Sequence, residues 1–222
     1  MVSDISHELR SPLSNIRGYL EGLKDGVLDP DREVFDTLYQ ESRLLERLVD
    51  DLHDLSMAEA GQLNLNLEEV SLDDLIYDAV SSVENKAEEK GLQLAVDTED
   101  SLLVKVDPAR IGEVLRNLLT NAIRYSDRGS EIEVQAEQVD GQAEISVADS
   151  GKGIPEEDIP HIFERFYRVD KSRTRSTGGS GLGLTIAKEI IEAHGGEIWA
   201  ESEEGEGSVF SLKLPLYGEK ED

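Results

Sequence analysis

Apolar residues recur at helical spacing from about Val2 to Leu23, and again from Asp31 to about Ala60. In the second stretch Val34, Leu38, Leu45, Leu48, Leu52 and Leu55 fall three, four or seven apart, which predicts one apolar stripe down a long helix. Gly26, Asp29 and Pro30 interrupt the pattern, so the two segments read as a helical hairpin. Two helices enclose too little core to stand alone, and the stripe needs a covering surface. Pairing with a second copy would supply it as a four-helix bundle, so the expected state is a homodimer.

Gly61 closes this unit, and the period then shifts to two. Leu63, Leu65 and Leu67 alternate with Gln62, Asn64, Asn66 and Glu68, which predicts a half-buried strand at the start of a second unit. The expected division is therefore 1–61 and 62–222. Ser71 with Asp74 reads as a cap for a helix over 72–90, ended by Gly91. Leu92 to Val96 predicts another strand. Asp107-Pro108 opens a helix through Ile111, Val114, Leu115, Leu118, Leu119 and Ala122, with proline in the first turn, where its missing N–H costs nothing. Ile132 to Glu137 and Ala143 to Ala148 flank Asp140-Gly141, a strong hairpin signal. A last helix from Leu182 to Ala193 stops at Gly195-Gly196, and strands over Glu197 to Ala200 and Val209 to Leu214 complete a sheet. The fold class expected is an all-α hairpin followed by an α+β sandwich, one sheet under a helical layer.

Composition narrows the function. A chain of 222 residues with 38% hydrophobic content is long enough for two folded units. Forty-nine acidic against 22 basic residues give a formal charge of −27, which repels nucleic-acid phosphates and anionic headgroups; neither nucleic acid nor direct membrane contact is expected. Such acidity also fits adaptation to high salt. Cysteine is absent, so thiolate chemistry and Cys-ligated zinc are excluded, and the composition fits a reducing cytoplasm. None of His7, His53, His161 and His194 has the spacing of a zinc-protease pair, and no run of 18 apolar residues occurs. Met1 falls inside a helical pattern, so the chain reads as a piece of a longer protein.

Four patterns carry chemistry, none of them decisive alone. Ser6-His7-Glu8-Leu9-Arg10-Ser11-Pro12 places a carboxylate beside an imidazole on a helix. Asn117 and Asn121 stand at i, i+4 on one helical face, with Arg124 three further on; neutral oxygens suit Mg2+, and a guanidinium suits phosphate. Asp149-Ser150-Gly151-Lys152-Gly153 follows an apolar strand, so glycines would let the backbone approach a flat ligand while the acid accepts a hydrogen bond. Adenine offers an amine there and guanine a carbonyl, so the acid would select ATP. Gly178-Gly179-Ser180-Gly181-Leu182-Gly183-Leu184 opens a helix whose unpaired N–H groups favour an anion. Just upstream lie Arg165, Arg168, Lys171, Arg173 and Arg175, a basic island in an acidic chain, and residues 170–180 read as a loop able to close over a phosphate tail. Phe163, Phe166 and Tyr167 read as packing residues.

In this order and spacing, the His7 segment, the Asn117–Asn121 pair, Asp149 to Gly153, Phe163-Glu164-Arg165-Phe166 and the glycine-rich box closely resemble the sensor histidine kinases of two-component signalling. The resemblance covers nearly the whole chain. It implies a dimerisation and phosphoacceptor hairpin followed by a Bergerat-type ATP-binding domain. It further implies ATP and Mg2+ as cofactors, His7 as phosphoacceptor with Glu8 as its partner, Asn121 as Mg2+ ligand supported by Asn117, and Asp149 as the adenine reader. Arg124, Tyr125, Gly151, Gly153, Ile154, Gly179, Gly181, Leu182 and Gly183 would complete the ATP site. The implied partner is a response-regulator receiver domain, whose aspartate takes the phosphoryl group, and the implied setting is the cytoplasmic part of a membrane-anchored receptor. Two positions depart from the family's habit. Ser11 stands where Thr or Asn is usual for dephosphorylating the partner, and Arg124 where Lys is common. Pro12 inside the first helix predicts a kink beside His7. A gyrase-type or chaperone-type ATPase would carry a water-activating Glu where Asn117 stands. A non-catalytic nucleotide sensor or a serine kinase on the same fold would have no use for His7-Glu8.

Overall fold

The computed structural model describes residues 2–60, 63–99, 102–169 and 181–218. Helices α1 (Val2–Lys24) and α2 (Arg32–Glu59) form the expected hairpin. The chain reverses where Leu28 fills the space left by Gly22: a Cβ there would lie 2.8 Å from Leu28 Cδ1. The Gly22 carbonyl accepts from both Val27 N–H at 2.9 Å and Leu28 N–H at 3.0 Å. Asp31 then caps α2 through the Val34 N–H at 2.9 Å. Pro12 lies within α1 as expected.

The second unit begins with β1 (Glu68–Ser71), α3 (Leu72–Lys90), β2 (Gln93–Thr98) and β3 (Leu103–Val106). It continues through α4 (Pro108–Tyr125), β4 (Glu131–Val139), β5 (Gln142–Asp149), α5 (Gly183–Ala193), β6 (Glu197–Glu203) and β7 (Gly207–Pro215). Five strands make one mixed sheet in the order β2-β4-β5-β7-β6, with β2 parallel to β4 and the other neighbours antiparallel; β1 and β3 make a separate two-stranded sheet. Period-two burial is clear in β4. Ile132, Val134 and Ala136 are buried under the helices while Glu131, Glu133, Gln135 and Glu137 are exposed, so part of the acidity sits on the open face of the sheet. Asp140 and Gly141 both take positive φ, as a tight two-residue hairpin turn requires.

Two expectations need correction. Residues 63–67 are not a strand; the ladder starts at Glu68 and runs opposite β3, which the sequence reading did not foresee. The reason is Asp107. Ending the partner strand, it takes the Asn66 N–H onto its carboxylate at 2.9 Å, so that group is spent before a ladder can extend to it. Ser71 occupies the N-cap position of α3 without a side-chain capping bond; the first free N–H, that of Leu72, is met instead by the Leu102 carbonyl at 2.9 Å. Gly61 and Gln62 lie outside the described residues.

Leu48 and Leu55 of α2 are buried in the same continuous core as α3, α4, α5 and the large sheet. A fork reinforces this contact: Arg110 of α4 grips Asp54 of α2 through Nη1 at 2.6 Å and Nη2 at 2.9 Å, with Glu113 at 3.1 Å from the same guanidinium. The hydrogen bonds to Asp54 push the guanidinium above its ordinary value. The Arg110 and Asp54 side chains are 28% and 22% exposed, between the regimes of surface and buried pairs. A double-mutant cycle of Asp54→Ala and Arg110→Ala, read by urea unfolding, is therefore expected to give a coupling of about 1–2 kcal/mol. A coupling near zero would show that the fork contributes nothing to holding α2 against α4.

Candidate active site

The amphipathic pattern of α4 sets the site. Its buried face, Ile111, Val114, Leu115, Leu118, Leu119, Ala122 and Ile123, goes into the core, which leaves Asn117, Asn121 and Arg124 half-buried along the border of the helix and Tyr125 exposed at its end. Asp107 fixes the start of the helix, accepting from Ala109 N–H at 3.1 Å and Arg110 N–H at 3.2 Å. Burial raises the Asp107 pKa, but the N–H groups of Asn66, Arg110 and Ala109 outweigh it and hold the carboxyl below the usual range. Asp107 also donates its own N–H to His194 Nε2 at 3.0 Å, and His194 Nδ1 meets the Ile190 carbonyl at 2.7 Å. One carboxylate and one imidazole thus join the linker, the start of α4 and the end of α5.

At the other end of α4 lies the loop after β5. Asp149 is half-buried at the strand's end; burial pushes its carboxyl up, and the Gly151 N–H, donated at 2.9 Å, opposes that rise. Gly151 packs so closely on the end of α4 that a Cβ would lie 2.6 Å from the Tyr125 carbonyl oxygen. Gly153 has φ +66° and leaves no room for a side chain, since a Cβ would lie 1.9 Å from the Glu203 carbonyl oxygen. The turn between β6 and β7 therefore braces the loop. Gly205 N–H donates to the Lys152 carbonyl at 2.7 Å, and Ile154 N–H to Ser202 Oγ at 2.8 Å, while Ser202 Oγ donates onward to the Gly207 carbonyl at 2.6 Å.

The glycine-rich box meets α4 at Asn117. Gly183 begins α5, and a Cβ on it would lie 2.7 Å from Asn117 Oδ1 and 2.8 Å from Nδ2, so the carboxamide abuts the positive end of the helix. Leu182 is fully buried just before it. Gly181, at φ +75°, accepts the Phe166 N–H at 2.9 Å, and Thr185 Oγ1 donates to the Phe163 carbonyl at 2.9 Å. Phe163 and Phe166 pack against the core, as expected of them. The Tyr167 hydroxyl donates to the Asp158 carboxylate, which pushes the phenol up to about 12. Gly178, Gly179, Ser180 and the whole basic loop from Asp170 lie outside the described residues.

The structure thus sets Gly183 against Asn117 and Gly151 against Tyr125 on one helix, with Asn121 and Arg124 between them in sequence; Asp149, Gly153 and Ile154 belong to the loop that Gly151 anchors, and Gly181 and Leu182 precede Gly183. Glu8 and Ser11 stand apart on α1, half-buried, as does His7 on the same helix, whose side chain lies outside the described part. Beside them Ser6, Leu9, Arg10, Leu13, Leu45 and Val49 line a groove of about 430 Å³ between α1 and α2. Ser202, Glu203 and Gly207, which brace the Asp149 loop, were not singled out from the sequence. The contact that matters is made by a carbonyl or a hydroxyl across some fifty positions, and no local pattern signals it.

Residues 106–218 match the family model described as histidine kinase-, DNA gyrase B- and HSP90-like ATPase, and residues 1–61 match the His Kinase A (phospho-acceptor) domain. The signal transduction histidine-protein kinase BaeS of Escherichia coli K12 is 40% identical over 215 residues, covering 97% of this chain and 46% of BaeS. The chain spans under half the length of the curated relatives it matches. Among solved structures, the Acinetobacter baumannii histidine kinase AdeS superposes with a TM-score of 0.82 at 32% identity, over 96% of this chain and 98% of that one. The histidine kinase ThkA, solved in complex with the response regulator protein TrrA, gives 0.78 at 28% identity, over 100% of this chain and 62% of that one. A helical hairpin joined to a helix-covered mixed sheet, matched along its length by these kinases, belongs to the sensor histidine kinase family and forms its catalytic core.

Proposed function

We propose that the chain binds ATP, phosphorylates His7 and passes the phosphoryl group to an aspartate on a response-regulator receiver domain. The observation that carries the reading is the placement of two ligand-facing ends on one helix. Asn117 meets the start of α5 at one end of the polar border of α4, and Tyr125 meets the Asp149 loop at the other. A helix rises about 1.5 Å per residue, so these positions stand roughly 12 Å apart, a span suited to a nucleoside triphosphate lying along the helix. The phosphates would then face the N-terminus of α5 and the base would face Asp149.

The residues divide the work accordingly. Asp149 accepts the adenine amine, Gly151 and Gly153 give the base room, and Ile154 packs beside it. Gly181, Leu182 and Gly183 direct backbone N–H groups at the phosphate tail, and Arg124 adds a guanidinium; Gly179, expected with them, lies outside the described residues. The neutral carboxamide oxygen of Asn121, half-buried one helical turn beyond Asn117, fits a Mg2+ ion that keeps most of its waters, with Asn117 held against Gly183 in support. When bound, such an ion would offset charge on the transferring group. An imidazole nitrogen of His7 attacks the γ-phosphorus, a P–N bond forms, the bond from γ-phosphorus to the β–γ bridging oxygen breaks, and ADP departs. Glu8 stabilises the charge that develops on the ring. Transfer to the receiver aspartate reverses the sense of the P–N step, and ThkA bound to TrrA supports that class of partner. Ser11, one turn beyond His7, would aid removal of the phosphoryl group from the partner.

The proposed units are 1–61 for dimerisation and phosphoacceptance and 62–222 for ATP binding and catalysis. Leu13, Leu20, Phe35, Tyr39 and Val49 are large, apolar and exposed on the hairpin, which supports a homodimer closed as a four-helix bundle. No helix among the described residues is long and apolar enough to cross a membrane. Relatives more than twice as long support a place for this core within a larger receptor, its cytoplasmic location being part of the proposal.

Three measurements test the proposal. Label from γ-phosphate-labelled ATP is expected on this chain in an acid-labile, alkali-stable form, chaseable onto a receiver protein; undiminished labelling of His7→Gln refutes the acceptor, and unchanged loss of label from the receiver in Ser11→Ala refutes the role of Ser11. By calorimetry Asn121→Ala is expected to lose Mg-ATP affinity by a factor of about 100 while its circular dichroism is kept; unchanged affinity removes Asn121 from the metal site. Sedimentation at micromolar concentration is expected to give a dimer, and a monomer would leave the exposed apolar residues unexplained.

A further inference from the structure

Lys90 is the last residue of α3, yet its ammonium belongs to the end of α4. Nζ donates to the carbonyl oxygens of Ile123 at 2.6 Å, Arg124 at 2.8 Å and Ser126 at 2.7 Å, three acceptors for the three donors an ammonium possesses. The last carbonyls of a helix have no partner within it, and a cation there also meets the negative end of the helix dipole. Closure of the helix does not by itself require this lysine. Ser126 already closes the final turn, with its N–H at 3.0 Å and its hydroxyl at 2.7 Å both donated to the Ala122 carbonyl.

The lysine's contacts reach further than the helix end. Tyr125 lies between Arg124 and Ser126, and its carbonyl oxygen is the one that presses on Gly151. The N–H of Gly151 is in turn donated to the Asp149 carboxylate. An ammonium therefore holds the carbonyls on both sides of the one that sets the Asp149 loop. The backbone just after Lys90 is tied to the same region: the Gly91 carbonyl accepts Gly129 N–H at 3.0 Å, and Gln93 N–H donates to the Ser130 carbonyl at 3.1 Å.

We propose that Lys90 is a positioning residue of the nucleotide site, fixing the end of α4 against the Asp149–Gly153 loop and thereby aiming the Asp149 carboxylate at the adenine amine. This rests on Asp149 being the base reader. The test compares ADP with inosine diphosphate, which carries a carbonyl where adenine has its amine and an N1–H where adenine has a lone pair, by calorimetry on wild type, Lys90→Met and Lys90→Gln. Wild type is expected to prefer ADP. A wild type that binds both nucleotides equally removes the assignment of Asp149, and the proposal with it, whatever the variants do. Given that preference, Lys90→Met is expected to narrow the affinity ratio about tenfold, ADP weakening and inosine diphosphate hardly changing, with Lys90→Gln between the two because its amide keeps donors. Equal losses for both nucleotides, the signature of a lysine that merely stabilises the fold, overturn the positioning role, as does an unchanged ratio. Should Lys90→Met fail to fold, the ratio in Lys90→Gln decides in the same way.

Discussion

Three backbone N–H groups converge on the carboxylate of Asp107, two from the first turn of its own helix and one from Asn66, and the Asp107 N–H goes to His194. This arrangement fixes where α4 begins, where the connection from the hairpin ends and where α5 finishes. Every candidate ligand-facing group outside α1 is placed relative to that helix. Without a fixed start, the roughly 100° of rotation that separates the buried Leu118 from the half-buried Asn117 would carry no meaning for a ligand. A capping bond of this kind contributes about 1 kcal/mol, small against the whole fold but decisive for register.

From the fixed helix the site follows by contact. At one end the carboxamide of Asn117 fills the space that a side chain on Gly183 would need, so α5 can start only there. At the other, the Tyr125 carbonyl and the β6–β7 turn trap the glycine loop between them, and Asp149 is held half-buried with one N–H on its carboxylate. The glycines serve as contact points for backbone, and the chemistry is left to the few polar side chains around them.

Much of this was legible in the chain, because the relevant signals are local. Asp140-Gly141, Gly91, Asp107-Pro108 and the stripe of α4 each specify their own conformation within a few residues, and all four formed as read. The gathering of Asn117, Asp149 and Gly183 was legible too, through the order of motifs that the kinase family shares. Failures came where the deciding partner was distant. Residues 63–67 have strand-like alternation, but a carboxylate some forty positions away takes the N–H that a strand would have used. Ser71 has the right identity for a cap, but its side chain makes no capping bond, and the bond that ties this helix start to its surroundings is Leu72 N–H to the Leu102 carbonyl, thirty positions away. Strand β3 is four residues long, and its single alternation of Val104, Lys105 and Val106 is too short to mark a strand by itself. Lys90 enters the sequence pattern only as the end of the helix over 72–90, and nothing near it in sequence announces three carbonyls at the end of another helix.

Leu48 and Leu55 of α2 share their burial with the sheet-bearing unit. Removing a leucine from water contributes about 1.5–3 kcal/mol, so a rearrangement that wets both would cost roughly 3–6 kcal/mol. The separated arrangement would then hold on the order of one molecule in a hundred to one in ten thousand. A modest screw or tilt of α2, by shifting how those two leucines seat, could change that minority many-fold. Such a lever would let a change in the seating of one helix set how often the two units part.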